Sequence, residues 1–340
     1  MACASLSSFD DRIALMKSQY SGMNSAPSQS TTPDRRPPPT STLGKKKSEV
    51  RSCKETVGLT RSTHLRRIPE WYQDNEQIRH GYRPVSCSAR VSLASWLYLH
   101  NESVNIYSHL IPAIGFLLGE WYILEYLHSR YQHVTVADHL IFAFFLLTAT
   151  VCLGLSATYH TMINHSQRID ALWLRFDLVG IILLTLGDFV SGIYLVFWCE
   201  PLQRKIYWSM IFTLGAITIF VLLSPKFRGP RWRTFRLMTI VGTGLSGLAP
   251  LGHGIYMFGF VQMLKQSGMP YYLVEGALLG LGAFIYAARI PESLSPGKFD
   301  IYGSSHQLFH ILVVIATVIH LVGILAAFDY NYNHRICTGR

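Results

Sequence analysis

Beyond about residue 100 this sequence has little charge. His139–Gln167, Leu237–Leu264 and Ile301–Phe328 run for 28 or 29 residues without an Asp, Glu, Lys or Arg. That absence excludes an ordinary soluble domain, because a bilayer core needs only ~20 consecutive apolar residues per helix. Cysteine is also sparse. The six (Cys3, Cys53, Cys87, Cys152, Cys199, Cys337) make no CxxC pair and no repeating spacing, so they support neither a zinc knuckle nor a disulfide framework. Cys152 reads as a small apolar packing residue. Cys199 and Cys337 could meet outside the membrane, but no bond between them is expected.

Other absences narrow the class. Residues 1 to 30 carry Asp10 and Asp11 and lack the apolar core of a secretory signal. Insertion is therefore expected to be directed by the first spanning helix. No internal repeat is visible, which speaks against an inverted-repeat transporter. The pI near 9.3 invites a nucleic-acid partner, but no zinc finger, RRM or helix-turn-helix signature accompanies it, and none is expected. Half of the basic residues, 15 of 30, lie in the first hundred positions. A basic flank against anionic lipid headgroups accounts for them.

What is present is a series of apolar segments. Seven spans are read at about Ile106–Leu127, Asp138–His160, Leu172–Trp198, Ile206–Leu223, Phe235–Phe260, Tyr271–Ala288 and Ser305–Ala326. The expected fold is thus an all-α integral membrane protein with seven transmembrane helices. Residues 1–66 read as a disordered Ser/Thr/Pro-rich tail, 67–104 as a helical lead-in, 105–328 as the membrane domain and 329–340 as a short tail. Loop Lys/Arg counts favour one side by eight to six, led by Lys226, Arg228, Arg231, Arg233 and Arg236. The N-terminus is then cytoplasmic and the C-terminus outside, opposite to a G-protein-coupled receptor. On this topology the sequons at Asn101 and Asn164 face the cytoplasm and stay unglycosylated.

Histidines then carry the chemistry. In "SSHQLFHILVVIATVIHL", His306 and His310 lie ~40° apart around a helix and ~6 Å apart along it. His160 closes span two at the same expected end, and Asp177 stands near the start of span three. Three imidazoles can hold one ion at ~2.0–2.1 Å and leave a fourth position open, the arrangement of catalytic zinc. Copper, iron or nickel share the ligand preference. Zinc lowers the pKa of a bound water to ~7, and Asp177 could orient that water or act as general base. The structural reading is that interfacial histidines bond headgroups, water or backbone, and that His109 and His320 do no chemistry.

The stretches "HNESVNIYSHL", "SATYHTMINHS", "FDLVGIILL" and "YAARIPESLSPGKFDIYGSSHQLFHILVV" resemble the PAQR / haemolysin III family, the adiponectin-receptor-like group with fungal members linked to zinc and sterol homeostasis. "PEWYQDNEQIRHGYRP" resembles that family's cytoplasmic lead-in. The resemblance spans about Pro69 to Gly323. It implies seven helices with the N-terminus inside and a Zn2+ ion on His160, His306 and His310, with Asp177 and Ser156 beside it. It also implies ceramidase-type hydrolysis of a membrane lipid (a ceramide, sphingolipid or fatty acid in an internal cavity), in the plasma membrane or endoplasmic reticulum. An adiponectin-receptor-like signalling protein with a structural zinc, responding to an extracellular protein ligand, is the alternative. A channel or metal transporter is a third class, disfavoured by the missing repeats. One departure stands out: Asp188 occupies a position where the adiponectin-receptor pattern usually has Ser. It is expected either to line the lipid cavity or to bond a neighbouring helix in its neutral form.

Overall fold

The structure, a computed structural model, describes residues 64–227 and 230–337. The expected tail therefore lies outside the described residues up to position 63, as does Arg228 of the basic loop. Among the described residues all regular structure is helical. Ten α-helices follow one another: α1 Ala89–Ala94, α2 Ser103–Arg130, α3 Val136–Met162, α4 Gln167–Val196, α5 Pro201–Leu223, α6 Arg233–Leu245, α7 Leu248–Phe258, α8 Phe260–Gln266, α9 Met269–Ala288 and α10 Ser305–His334. Six of them (α2, α3, α4, α5, α9 and α10) are long and apolar enough to cross a membrane.

Several helix ends are set by named residues. Thr135 and Asp138 form a capping box that starts α3, and Tyr194 of α4 donates to Asp138 Oδ1 at 2.6 Å. Pro201 occupies the first turn of α5, where a missing N–H costs nothing. Ser304 and Gln307 form a second capping box that starts α10 one residue before His306. The Gln307 amide also donates to Ile301 O at 2.8 Å and Asn101 O at 3.3 Å, which ties the start of α10 to the start of α2.

The fifth expected span differs from its reading. Instead of one helix it is three in succession, α6, α7 and α8. Gly247 sits at the first break, where a Cβ would lie 2.7 Å from the Phe189 ring. Gly259 makes the second break with φ +80°, a conformation that favours glycine. Within "GLSGLAP" the close approach thus falls at Gly247.

The core lies between α2, α3, α4 and α10. Leu127, Phe142, Phe145, Leu146, Leu153 and Phe328 are fully buried there. Large apolar residues such as Ile111, Leu118, Trp121 and Tyr122 of α2 stand exposed, as lipid-facing side chains do. The lead-in is less helical than expected, consisting of short 3-10 turns, loops and α1. Its Ile68, Tyr72, Ile78 and Tyr82 pack with Ile163 at the end of α3.

One sequence expectation needs correction. Cys199 and Cys337 are disulfide-bonded, with Cα atoms 5.2 Å apart. The ends of α4 and α10 meet there. Asn331 donates to Leu195 O at 3.2 Å, and Arg335 pairs with Glu200 at 3.0 Å. A separation of 138 residues gave no spacing from which to read the bond. Cys87 is disulfide-bonded as well. The sequon residues Asn101 and Asn164 are buried, and Asn164 is hydrogen-bonded to Pro84 O and Ser92 Oγ.

Candidate metal centre

Three of the expected residues meet. His160 at the end of α3 and His306 and His310 in the first two turns of α10 each offer a ring nitrogen, and these atoms lie within 4.8 Å of one another. The ring centroids are 4.7 to 5.0 Å apart. His160 and His310 are buried, and His306 nearly so.

The outer nitrogens explain which atoms face inward. His160 Nδ1 is 2.8 Å from Glu102 Oε2, so this nitrogen carries the proton and Nε2 is left bare. His310 Nδ1 lies 3.2 Å from Asn105 O, which leaves its Nε2 bare in the same way. His160 Nε2 and His306 Nε2 stand only 3.2 Å apart. That distance suits a hydrogen bond between the two rings and equally two ligands of one ion, and with Nε2 of His160 and of His310 bare the donor set fits a zinc ion. Carboxylate–histidine–metal chains of this kind orient the ligand and raise its basicity. Burial pushes the Glu102 carboxyl up, while the hydrogen bonds from His160 and Asn105 and the charge of Arg83 pull it down.

Supports surround the ligands. His109 stacks on His310 with ring centroids 3.7 Å apart, which fixes the plane of that ring. Arg83, fully buried, donates to His160 O at 2.6 Å, Thr161 O at 3.0 Å and Ser95 Oγ at 2.9 Å. It thereby satisfies carbonyls that the end of α3 would otherwise leave without partners. Glu292 is also fully buried. It accepts from Ser305 N at 2.8 Å, from Ser305 Oγ, and from Asn75 of the lead-in at 3.0 Å. A cavity of about 120 Å³ lies over the histidines, lined by lead-in residues together with Glu102, Tyr159, His160, Tyr286 and His306.

Asp177 of α4 lies beside Ser156 and within electrostatic reach of His160. Glu102, Asn105, Arg83 and Glu292 were missed by the sequence reading. The first two stand inside "HNESVNIYSHL", one turn from where span one begins, and that position was the available signal. His320 and Asp188 are remote from this centre and meet each other elsewhere.

The fold and this centre define a class: a polytopic helical membrane protein with a buried three-imidazole cluster at one end of its bundle. The sequence profile described as haemolysin-III related matches residues 97–321, and the chain belongs to that family. It is 36% identical over 275 residues to an adiponectin receptor protein of Drosophila melanogaster, covering 81% of this chain and 61% of the fly protein. It is 39% identical over 266 residues to the ADIPOR-like receptor IZH2 of Saccharomyces cerevisiae, covering 77% of this chain and 82% of the yeast protein. A progestin and adipoQ receptor-like protein 1 of Caenorhabditis elegans is 37% identical over 302 residues, 86% of this chain and 68% of the worm protein. The chain thus spans about three fifths of the fly protein's length.

Proposed function

We propose that this chain is a zinc-containing membrane hydrolase that cleaves the amide of a ceramide-like lipid, with the histidine end of the bundle facing the cytoplasm. The observation that carries this reading is the convergence of three imidazole nitrogens within 4.8 Å of one another, with Asp177 in electrostatic reach of His160 and bonded to Ser156. His160, His306 and His310 would hold the zinc ion, which would supply Lewis acidity and lower the pKa of water at the site to ~7. The chain's own residues do the rest. Asp177 accepts the proton from the attacking water and returns it to the leaving amine. Ser156 orients the Asp177 carboxylate. Glu102 and Asn105 keep the proton on the outer nitrogens of His160 and His310.

A shallow apolar surface open to the surroundings, lined by Leu97, Leu99, Val104, Tyr107 and Ile111, lies on the same side of the bundle and is compatible with a lipid substrate. It reaches Ser108, whose hydroxyl lies 3.4 Å from His310 Nδ1. The cytoplasmic orientation rests on the loop charges. Because Cys87 and the Cys199–Cys337 pair are bonded on either side of the spans, disulfides do not choose between the ends.

The test is ceramide hydrolysis by the purified chain, with zinc measured on the same samples. His310→Ala loses the ion and the activity. Asp177→Asn keeps the ion and loses about 10²–10⁴-fold in rate, the usual contribution of a general base. The receptor names of the fly and yeast relatives favour a second reading, a signalling protein with a structural zinc. Bound zinc with no hydrolysis by the wild-type chain would select it.

A further inference from the structure

A second buried cluster lies away from the three-histidine centre. Asp188 of α4, Glu275 of α9 and His320 of α10 each present one donor atom, and these atoms lie within 4.8 Å of one another. His320 Nδ1 is 2.8 Å from Glu275 Oε2 and 3.9 Å from Asp188 Oδ1. The His320 ring is clamped between Phe145 at 4.9 Å and Tyr272 at 5.1 Å, both nearly parallel to it.

The hydrogen-bond directions are informative. Ser191 Oγ has one proton, and two helix carbonyls take it up, Gly187 O at 2.9 Å and Asp188 O at 3.0 Å. The same oxygen stands 3.0 Å from His320 Nε2, so it accepts there and Nε2 carries the hydrogen. In a neutral ring Nδ1 is then bare, and it faces two carboxylates. Asp188 Oδ1 is shielded from solvent and accepts no hydrogen bond. The Tyr272 hydroxyl, within electrostatic reach of both acids, is also without a partner. Nδ1 either donates to Glu275 Oε2 as an imidazolium or stands bare between the acids, and in both cases Asp188 Oδ1 is left without a partner.

A cation resolves this arrangement. Without an ion, charge balance takes one proton on Nδ1 and a second on Asp188, whose Oδ1 finds no hydrogen-bond partner, and no lysine or arginine is among the charged groups acting on Asp188 or His320. A divalent ion balances both acids and leaves the imidazole neutral. We infer that Asp188, Glu275 and His320 bind a second divalent transition-metal ion, held by one nitrogen and two carboxylate oxygens. This mixed donor set suits zinc, manganese or iron. A small rotation of the Asp188 carboxylate brings its oxygen within bonding distance, since metal–ligand bonds of ~2.0–2.2 Å span less than the present separation. Ser191 serves this ion as Glu102 serves the first, by fixing the tautomer of its histidine.

The ion is not part of a two-metal catalytic pair. Ten residues separate His310 from His320 on one helix, ~15 Å along its axis, whereas paired catalytic ions lie ~3.5–4 Å apart. It pins α4, α9 and α10 together instead. The inference does not depend on the proposed hydrolysis or on zinc at the first centre.

The experiment is metal analysis of the purified full chain after equilibration with zinc or manganese. Wild type is expected to hold two ions per chain, Asp188→Asn and Glu275→Gln one, and the His306→Ala/His310→Ala double variant one. A single ion that disappears with Asp188→Asn and survives the double histidine variant upholds this site while overturning the first. A single ion that survives both Asp188→Asn and Glu275→Gln overturns this site. X-ray absorption of manganese in the wild-type chain needs no variant. Carboxylate oxygens with one imidazole in its shell are expected, and a manganese shell of imidazoles alone, or no retained manganese beside one zinc per chain, overturns the inference.

Discussion

At the scale of single residues, the proton on each outer nitrogen decides what the ring can hold. Glu102 is the clearest case, because it fixes His160 with one carboxylate oxygen while Asn105 donates to that same oxygen at 2.7 Å. Glu102→Gln preserves size and can still accept a hydrogen bond through its amide oxygen, but it removes the charge that raises imidazole basicity. The expected result is a ~10–100-fold loss of zinc affinity, the range seen when such outer partners are removed. Competition with a chelator of known affinity would measure it, and unchanged affinity would count against the role assigned to Glu102. The sequence could suggest His306 and His310, since their spacing alone puts both on one helix face. It could not suggest that Glu102 meets His160, a contact made across 58 positions.

At the scale of elements, the broken fifth segment shows how a small residue sets a helix boundary. Gly247 is where Phe189 of α4 comes closest to the junction of α6 and α7. A side chain there must displace an aromatic ring in a packed interface, at a cost of about 1–3 kcal/mol. Gly247→Leu is therefore expected to lower the melting temperature in detergent. Gly242→Leu, five residues earlier and with open space around its position, is expected to leave it unchanged. Equal effects from both would remove the close approach as the cause. Hydropathy read the segment as one span because all three pieces are apolar. The breaks at Gly247 and Gly259 are properties of backbone and neighbours, which an average over residues does not register.

At the scale of the whole molecule, the two ends of the bundle do different work. The ligand histidines lie at the start of α10, and Cys337 follows its far end, ~40 Å away along a straight helix. Replacing Cys199 and Cys337 by Ser together is expected to cost about 2–4 kcal/mol of stability and to leave bound metal unchanged. Loss of metal along with the bond would mean that the ends are coupled. The membrane class and six of the seven spans were legible, since each is a long apolar run carrying its own signal. The disulfide, the Asp188–Glu275–His320 cluster and the fold of the lead-in were not. All three are long-range meetings, and Asp188 in particular looked like a lone acid until α9 and α10 were in place.

The grip of Arg83 on the carbonyls of His160 and Thr161 also marks where the working unit begins. The family match starts at residue 97, yet Arg83 and the neighbouring Tyr72, Asn75 and Ile78 roof the first centre. A truncated version cut at the first spanning helix would keep every ligand and still leave the end of α3 uncapped and its histidine open to solvent. A unit that preserves the site therefore has to include Tyr72 and Arg83, upstream of the first spanning helix.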